Sequence, residues 1–250
     1  MAISHAQTTR TANVSGATTT LNVVLTNNPA NGDLVCIGAQ YFNASTNQPA
    51  TFTVADAAGK TYTKSTKSPS STQSAAAGFA YIFFLNNASG ANSTITATFT
   101  SPGAGGSVEI FADDFTVAGG TTSVSSDTIG SSSTGGTINT PTVVVSGTTD
   151  LVYGFAAVAQ VVSTVPSPWT LGAIGGHGNA TGYILSRNSN VAFNWTQVTA
   201  GQWDSIGQDF IFTASGGASK GMLFPNPLTG IGVGNRFFGD RLSYSILTDL

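Results

Sequence analysis

Residues 93–100 read STITATFT, and this stretch settles the fold class. Its alternation puts Ile95, Ala97 and Phe99 on one face and Thr94, Thr96, Thr98 and Thr100 on the other, the period of two that marks a half-buried strand. The outward face is threonine, not charge. The same alternation recurs at Leu21, Val23 and Leu25, at Phe52 and Val54, and at Val191, Phe193 and Trp195. Turn-forming clusters separate these runs: NNPANGD from Asn27, DAAGK from Asp56, NASGAN from Asn87, SPGAGG from Ser101 and TAGQ from Thr199. No helical periodicity lies between them, so the pattern predicts an all-β protein, an antiparallel β-sandwich.

Composition agrees. The chain has 250 residues, enough for one large β domain or two small ones. Only 8% of them are charged and Glu109 is the single glutamate, which disfavours long surface helices. The net charge of -3, with eight Lys plus Arg scattered along the chain, offers no basic stripe for a phosphate backbone, so nucleic acid is not an expected partner. Cys36 sits in the apolar run DLVCIGAQYF and reads as a small buried hydrophobe. No stretch reaches the roughly 20 apolar residues of a spanning helix, and MAISHAQTTRTANV lacks the apolar core of a classical signal. Membrane contact is therefore not expected.

An internal repeat carries the architecture further. NGDLVCIGA from Asn31 returns as TTDLVYGFAA from Thr148, with Asp33 matched to Asp150. The same offset aligns Phe52 with Trp169; beyond a shortened loop, Tyr81 pairs with Tyr183, Phe99 with Trp195 and Asp113 with Asp209. Two related halves follow, about 14–118 and 138–214, joined by a Ser/Thr/Gly-rich connection over 119–138. They predict either tandem small sandwiches or one jelly-roll-like sandwich over residues 1–215 in which both halves feed both sheets. The single sandwich is the expected arrangement.

NGDLVCIGA, VADAAGKTYTKS from Val54, ANSTITATFT from Ala91, VEIFADDF from Val108, DLVYGFAA from Asp150 and GQDFIF from Gly207 together resemble a loosely defined β-sandwich domain found in phage virion proteins and bacterial surface proteins. The resemblance covers roughly 14–214. It implies a structural or adhesive module and carries over no catalytic residues.

Chemistry-bearing residues are few. Asp113 and Asp114 are adjacent, so on a strand they face opposite sides and cannot act as a pair. Phe115 and Val117 fall out of phase with Val108, Ile110 and Ala112, which predicts a β-bulge at the two aspartates. A Ca²⁺ site using Asp113, Asp114 or Asp127 is the alternative, without recognisable ligand spacing. His5 and His177 are the only histidines, and His177 reads as a loop residue within GAIGGHGNATG. No metal, cofactor or catalytic residue is assigned. Aromatic rings on a sandwich rim can stack on sugars, yet Trp169 and Trp195 align with core positions; Trp203 is assigned to neither role.

Residues 216–250 differ from everything before them. GMLFPNPLTGIGVGNRFFGDRL combines apolar residues, Pro and two arginines, too apolar for a free linker, so it either folds back on its own sandwich or, the favoured reading, contacts another subunit. It reads as an irregular C-terminal interaction arm, with Leu223, Phe224, Leu228, Ile231, Arg236, Phe237, Phe238, Arg241 and Leu242 as subunit-interface residues. The expected function is a non-enzymatic structural protein of a tailed-phage virion, a capsid decoration (cement) protein or a tail or fibre component. Such a protein would assemble in the host cytoplasm, contact other virion subunits and form a homo-oligomer. The alternative is a surface adhesin or carbohydrate-binding module that meets a host surface glycan outside the cell.

Overall fold

The computed structural model describes residues 3–13, 17–45, 47–69, 77–132, 134–139 and 141–215. The protein is all-β: every element among these residues is a strand and every pairing is antiparallel. A first run lays down β1 (Ile3–Asn13), β2 (Thr20–Val24), β3 (Leu34–Phe42), β4 (Phe52–Asp56), β5 (Thr63–Lys64), β6 (Phe79–Leu85), β7 (Thr94–Phe99) and β8 (Ser107–Val117). A second run follows with β9 (Gly120–Ser132), β10 (Thr137–Ile138), β11 (Thr142–Val143), β12 (Asp150–Val158) and β13 (Val162–Thr164). It continues with β14 (Thr170–Ile174), β15 (Ala180–Arg187), β16 (Val191–Ala192), β17 (Trp195–Gln197) and β18 (Trp203–Ala214).

Each run builds its own large sheet. The first has the order β1-β8-β3-β6-β5 and the second β9-β18-β12-β15-β14. Position by position these orders correspond. The small sheets correspond as well, β2-β7-β4 against β10-β17-β13, with β11-β16 as a further pair. Neither large sheet mixes strands from the two runs, which differs from the expected arrangement of shared sheets. The reason lies in residues 119–138: 120–132 form β9, a long strand paired with β18, where a flexible connection was expected. Serine and threonine hydroxyls leave no apolar alternation to read there, but the backbone ladder closes all the same.

Ladder register also corrects three residue matches. Val35 lies opposite Asp114 and Val152 opposite Asp209, so Asp209 corresponds to Asp114, not Asp113. Cys36 faces Phe84 and Tyr153 faces Tyr183, so Tyr183 corresponds to Phe84, not Tyr81. Trp169 precedes β14, the sheet-edge counterpart of β5, whereas Phe52 begins β4 in a small sheet.

Three buried clusters stack these sheets into four layers. Val35, Ile37, Tyr81, Phe83, Ile95 and Ile110 fill the space between the first small and first large sheets. Cys36, Ile82, Phe111, Phe115, Tyr153 and Phe155 join the two large sheets face to face. Val152, Ala156, Trp169, Phe193, Trp195 and Trp203 fill the second sandwich. Both large sheets are thus covered on both faces, which is why β3 and β12 are buried almost without interruption.

Glycine allows the central approach. A Cβ on Gly38 of β3 would sit 2.7 Å from Phe155 Cδ2 and 3.0 Å from Thr181 Cγ2 across the sheet–sheet interface. Gly38→Ala is therefore expected to lower stability by about 1–3 kcal/mol through overpacking. Gly136→Ala, where a Cβ meets nothing within 4 Å, should change it by less than about 0.5 kcal/mol. Urea unfolding of the two variants checks the difference.

Candidate functional site

The face of β8 that meets the second large sheet carries Glu109, Phe111, Asp113, Phe115 and Val117, while Val108, Ile110, Ala112 and Asp114 face the first sandwich core. Alternation is unbroken through the two aspartates, because β3 stays in register with β8 across them. The expected bulge is instead in β1, between His5 and Gln7. Phe115 and Val117 keep the phase of Phe111 and Asp113, and both faces of β8 are buried.

Glu109 is fully buried and its acceptors are filled from the second run. Gly176 N–H donates to Oε1 at 2.6 Å and His177 N–H at 3.4 Å. Asn179 Nδ2 donates to Oε2 at 2.7 Å and also to Gln40 Oε1 at 3.0 Å. Gln40 in turn donates to the Ala77 carbonyl, and Val158 N–H donates to Asn179 Oδ1. A side chain at Gly175 would overlap the Glu109 carboxylate. The glycine-rich loop is thereby moulded around one buried carboxyl group whose two oxygens both accept hydrogen bonds.

Asp113 is the second buried carboxylate at this interface. Tyr153 donates its hydroxyl to Oδ2 at 2.7 Å, and His5 Nε2 lies 3.2 Å from Oδ1. The His5 ring stacks on Tyr183 at 4.7 Å and meets Phe115 edge-on. Burial, then the Asp113 charge, pushes the Tyr153 phenol well above its ordinary range. Cys36 lies in the same layer, and burial, with Asp113 and Asp114 adding to it, pushes its thiol up. A nucleophilic cysteine requires the opposite shift. Cys36, His5 and Asp113 thus lie at the contact between the two large sheets, joined to it by packing and by the Tyr153 hydrogen bond.

Two further acids are related by the strand correspondence. Asp33 Oδ2 accepts from Ala30 N–H at 2.8 Å, and Asp150 Oδ2 accepts from Gly147 N–H at 2.6 Å. Each caps the turn before its strand, and each has a buried acid on the neighbouring strand, Asp114 or Asp209. Burial raises Asp114 to about 6; the Gln7 hydrogen bond opposes this and the Asp33 charge adds to it. Burial likewise raises Asp209 to about 7, with the Asp150 charge adding and the Ser146 N–H bond opposing. When Asp209 is protonated it can donate to Asp150, which relieves the repulsion of two carboxylates in one site. Asp127 goes the other way: burial pushes it up, but bonds from Ser65, Lys67 N–H and Thr66 outweigh this and hold it below the usual range.

Asp113, Asp114 and Asp127 thus serve three separate places, and no group of three metal-ligating side chains forms among the described residues. His177 sits in the β14–β15 loop and lines a cavity of about 310 Å³ with Gln40, Phe42, Ser107 and Val158. Trp169 and Trp195 are core residues packed at right angles, 5.3 Å apart, as expected for both, although the match of Trp169 to Phe52 that suggested it does not hold. Trp203 is only 2% exposed, so its ring face is not offered to a sugar. The nine interface residues of the C-terminal arm, from Leu223 to Leu242, lie outside the described residues. The roles of Gln40 and Asn179 escape sequence reading. Glu109 left one signal, a lone glutamate inside the apolar VEIF. No protein-family model, curated protein or solved structure matches the chain.

Two outcomes follow from these carboxylates. Glu109→Gln puts an amide where three donors converge and should cost about 3 kcal/mol in urea unfolding. Asp114 and Asp209 bind protons more tightly folded than unfolded, so their contribution is complete below about pH 4 and is lost as pH rises through about 6 and 7. Stability should therefore fall between pH 4 and pH 8, and Asp209→Asn should flatten the upper part of that fall; Asp127 acts with the opposite sign, in the more acid range.

Proposed function

We propose that this protein is a non-enzymatic structural component of a tailed-phage virion, a capsid decoration protein or a tail or fibre part, attached to neighbouring subunits through residues 216–250. The observation that carries this reading is the correspondence of the two runs, both of which lie before residue 216. Among the described residues, the strands of both large sheets come from residues 3–214, and the strand order of one is matched position by position in the other. The apolar, arginine-bearing segment 216–250 follows both runs in the sequence. A segment with two adjacent Phe and two Arg has the composition of an interface hot spot.

The buried acids support the same reading. Glu109, Asp113 and Asp127 each spend their oxygens on bonds within the chain, an investment in rigidity. A load-carrying virion part benefits from that rigidity, whereas a general acid or base needs an oxygen that can reach a substrate.

Deleting residues 216–250 tests this. The truncated chain should keep its unfolding transition while self-association and co-purification with particles are lost. The double change Phe237→Ala and Phe238→Ala in the full chain should weaken association at least about tenfold. Unchanged association in both would overturn the reading.

A further inference from the structure

We infer that the end of the second sandwich beside Trp203 holds a binding site for a neutral polyhydroxylated ligand, a sugar residue. A cavity of about 390 Å³ opens there, lined by Ser131, Ser132, Thr134, Thr137, Asn139 and Trp203, with Gly135 and Gly136 forming bare wall. Its volume lies within the range of about 300–1,000 Å³ common to small-molecule sites.

Two observations make this more than a surface dent. The Trp203 indole Nε1–H is buried and has no acceptor, a deficit of about 1–3 kcal/mol unless something supplies one. Trp169, by contrast, donates to the Ala192 carbonyl at 2.8 Å. Trp195 Nε1 also lacks an acceptor, but its ring is enclosed in the aromatic core with Trp169 and Phe193. The Trp203 donor instead adjoins the cavity: a Cβ on Gly135 would stand 3.5 Å from it. The Gly135 carbonyl is pinned by Gln197 Nε2 at 2.9 Å and Gly201 N–H at 3.2 Å, so the wall beside the indole is fixed as well as bare.

The lining selects the ligand class. It contains no charged side chain, so a phosphate, carboxylate or ammonium group would lose hydration without gaining a partner. It contains little apolar surface beyond the indole, so a lipid chain gains nothing. Hydroxyls and an amide both donate and accept, which matches the hydroxyl groups of a neutral sugar. Because the Trp203 ring is buried, recognition is by the indole N–H and the hydroxyl rim, not by ring stacking.

The test uses the full chain labelled with ¹⁵N-tryptophan, with the Trp203 indole resonance assigned by its loss in Trp203→Phe. Glucose, galactose, mannose and N-acetylglucosamine are titrated, with glucose 6-phosphate as the charged control. At least one neutral sugar should shift that resonance saturably, and the phosphate should bind more weakly. Calorimetry should show binding about tenfold weaker in Trp203→Phe. Gly136→Leu, whose side chain enters open space in the cavity, should abolish the shift while leaving the fold intact. No saturable shift with any neutral sugar, or a shift that survives Gly136→Leu, would overturn the site. Neither result bears on the assembly reading, which is tested on residues 216–250.

Discussion

The structure depends on one contact, the face-to-face packing of two five-stranded sheets that are each already covered on the other side. Apolar burial drives that contact but does not orient it, because hydrophobic attraction is non-directional. Direction comes from Glu109 and Asp113. Each is buried on the first sheet and satisfied by groups of the second: the loop N–H groups of Gly176 and His177 and the Asn179 amide for one, and the Tyr153 hydroxyl for the other. A slide of one sheet past the other would strand both carboxylates, a penalty of several kcal/mol for each. The pair therefore acts as a locating device, and the close approach at Gly38 sets the depth to which it engages.

Low charge shapes the rest. With 8% charged residues, the outer layers stay wet through threonine, and most of the acids that remain are turned inward or used as turn caps. Asp33 and Asp150 show how strictly this is repeated: each caps the same kind of turn three residues upstream and each faces a buried acid on the adjacent strand. The two ends differ in chemistry. Asp114 is relieved by the Gln7 amide, Asp209 by a backbone N–H and the prospect of sharing a proton with Asp150.

Much of this was legible. STITATFT reads correctly as a half-buried strand, and the two DLV stretches become β3 and β12, the middle strands of the two large sheets, where shared sheets were expected. The failures have physical causes. β9 is invisible because Thr122 and Asp127 are its buried residues, neither of them apolar, so a strand held by its ladder looks like a linker. The match of Asp113 to Asp209 slips by one because two adjacent aspartates offer the same letter to opposite faces. The apparent break of phase at Phe115 reflects a sheet covered on both sides, where both faces of β8 are buried. Glu109 stood out as a lone glutamate, but its partners lie 67 to 70 residues away, beyond any local pattern.

Edge strands are the remaining exposure of such a design, since an open ladder invites another strand. Lysine is the usual guard, and this chain has few charges to spare. Among the described residues, all four edges of the two large sheets are interrupted instead. β5 is only two residues long, and the other three each carry an irregularity: β1 between His5 and Gln7, β14 between Leu171 and Ala173, and β9 opposite Gln208 and Phe210. At the β9 irregularity Asp127 also bonds to the loop after β5. Bulged edges resist strand addition, so these edges are guarded by backbone irregularity where charge is scarce.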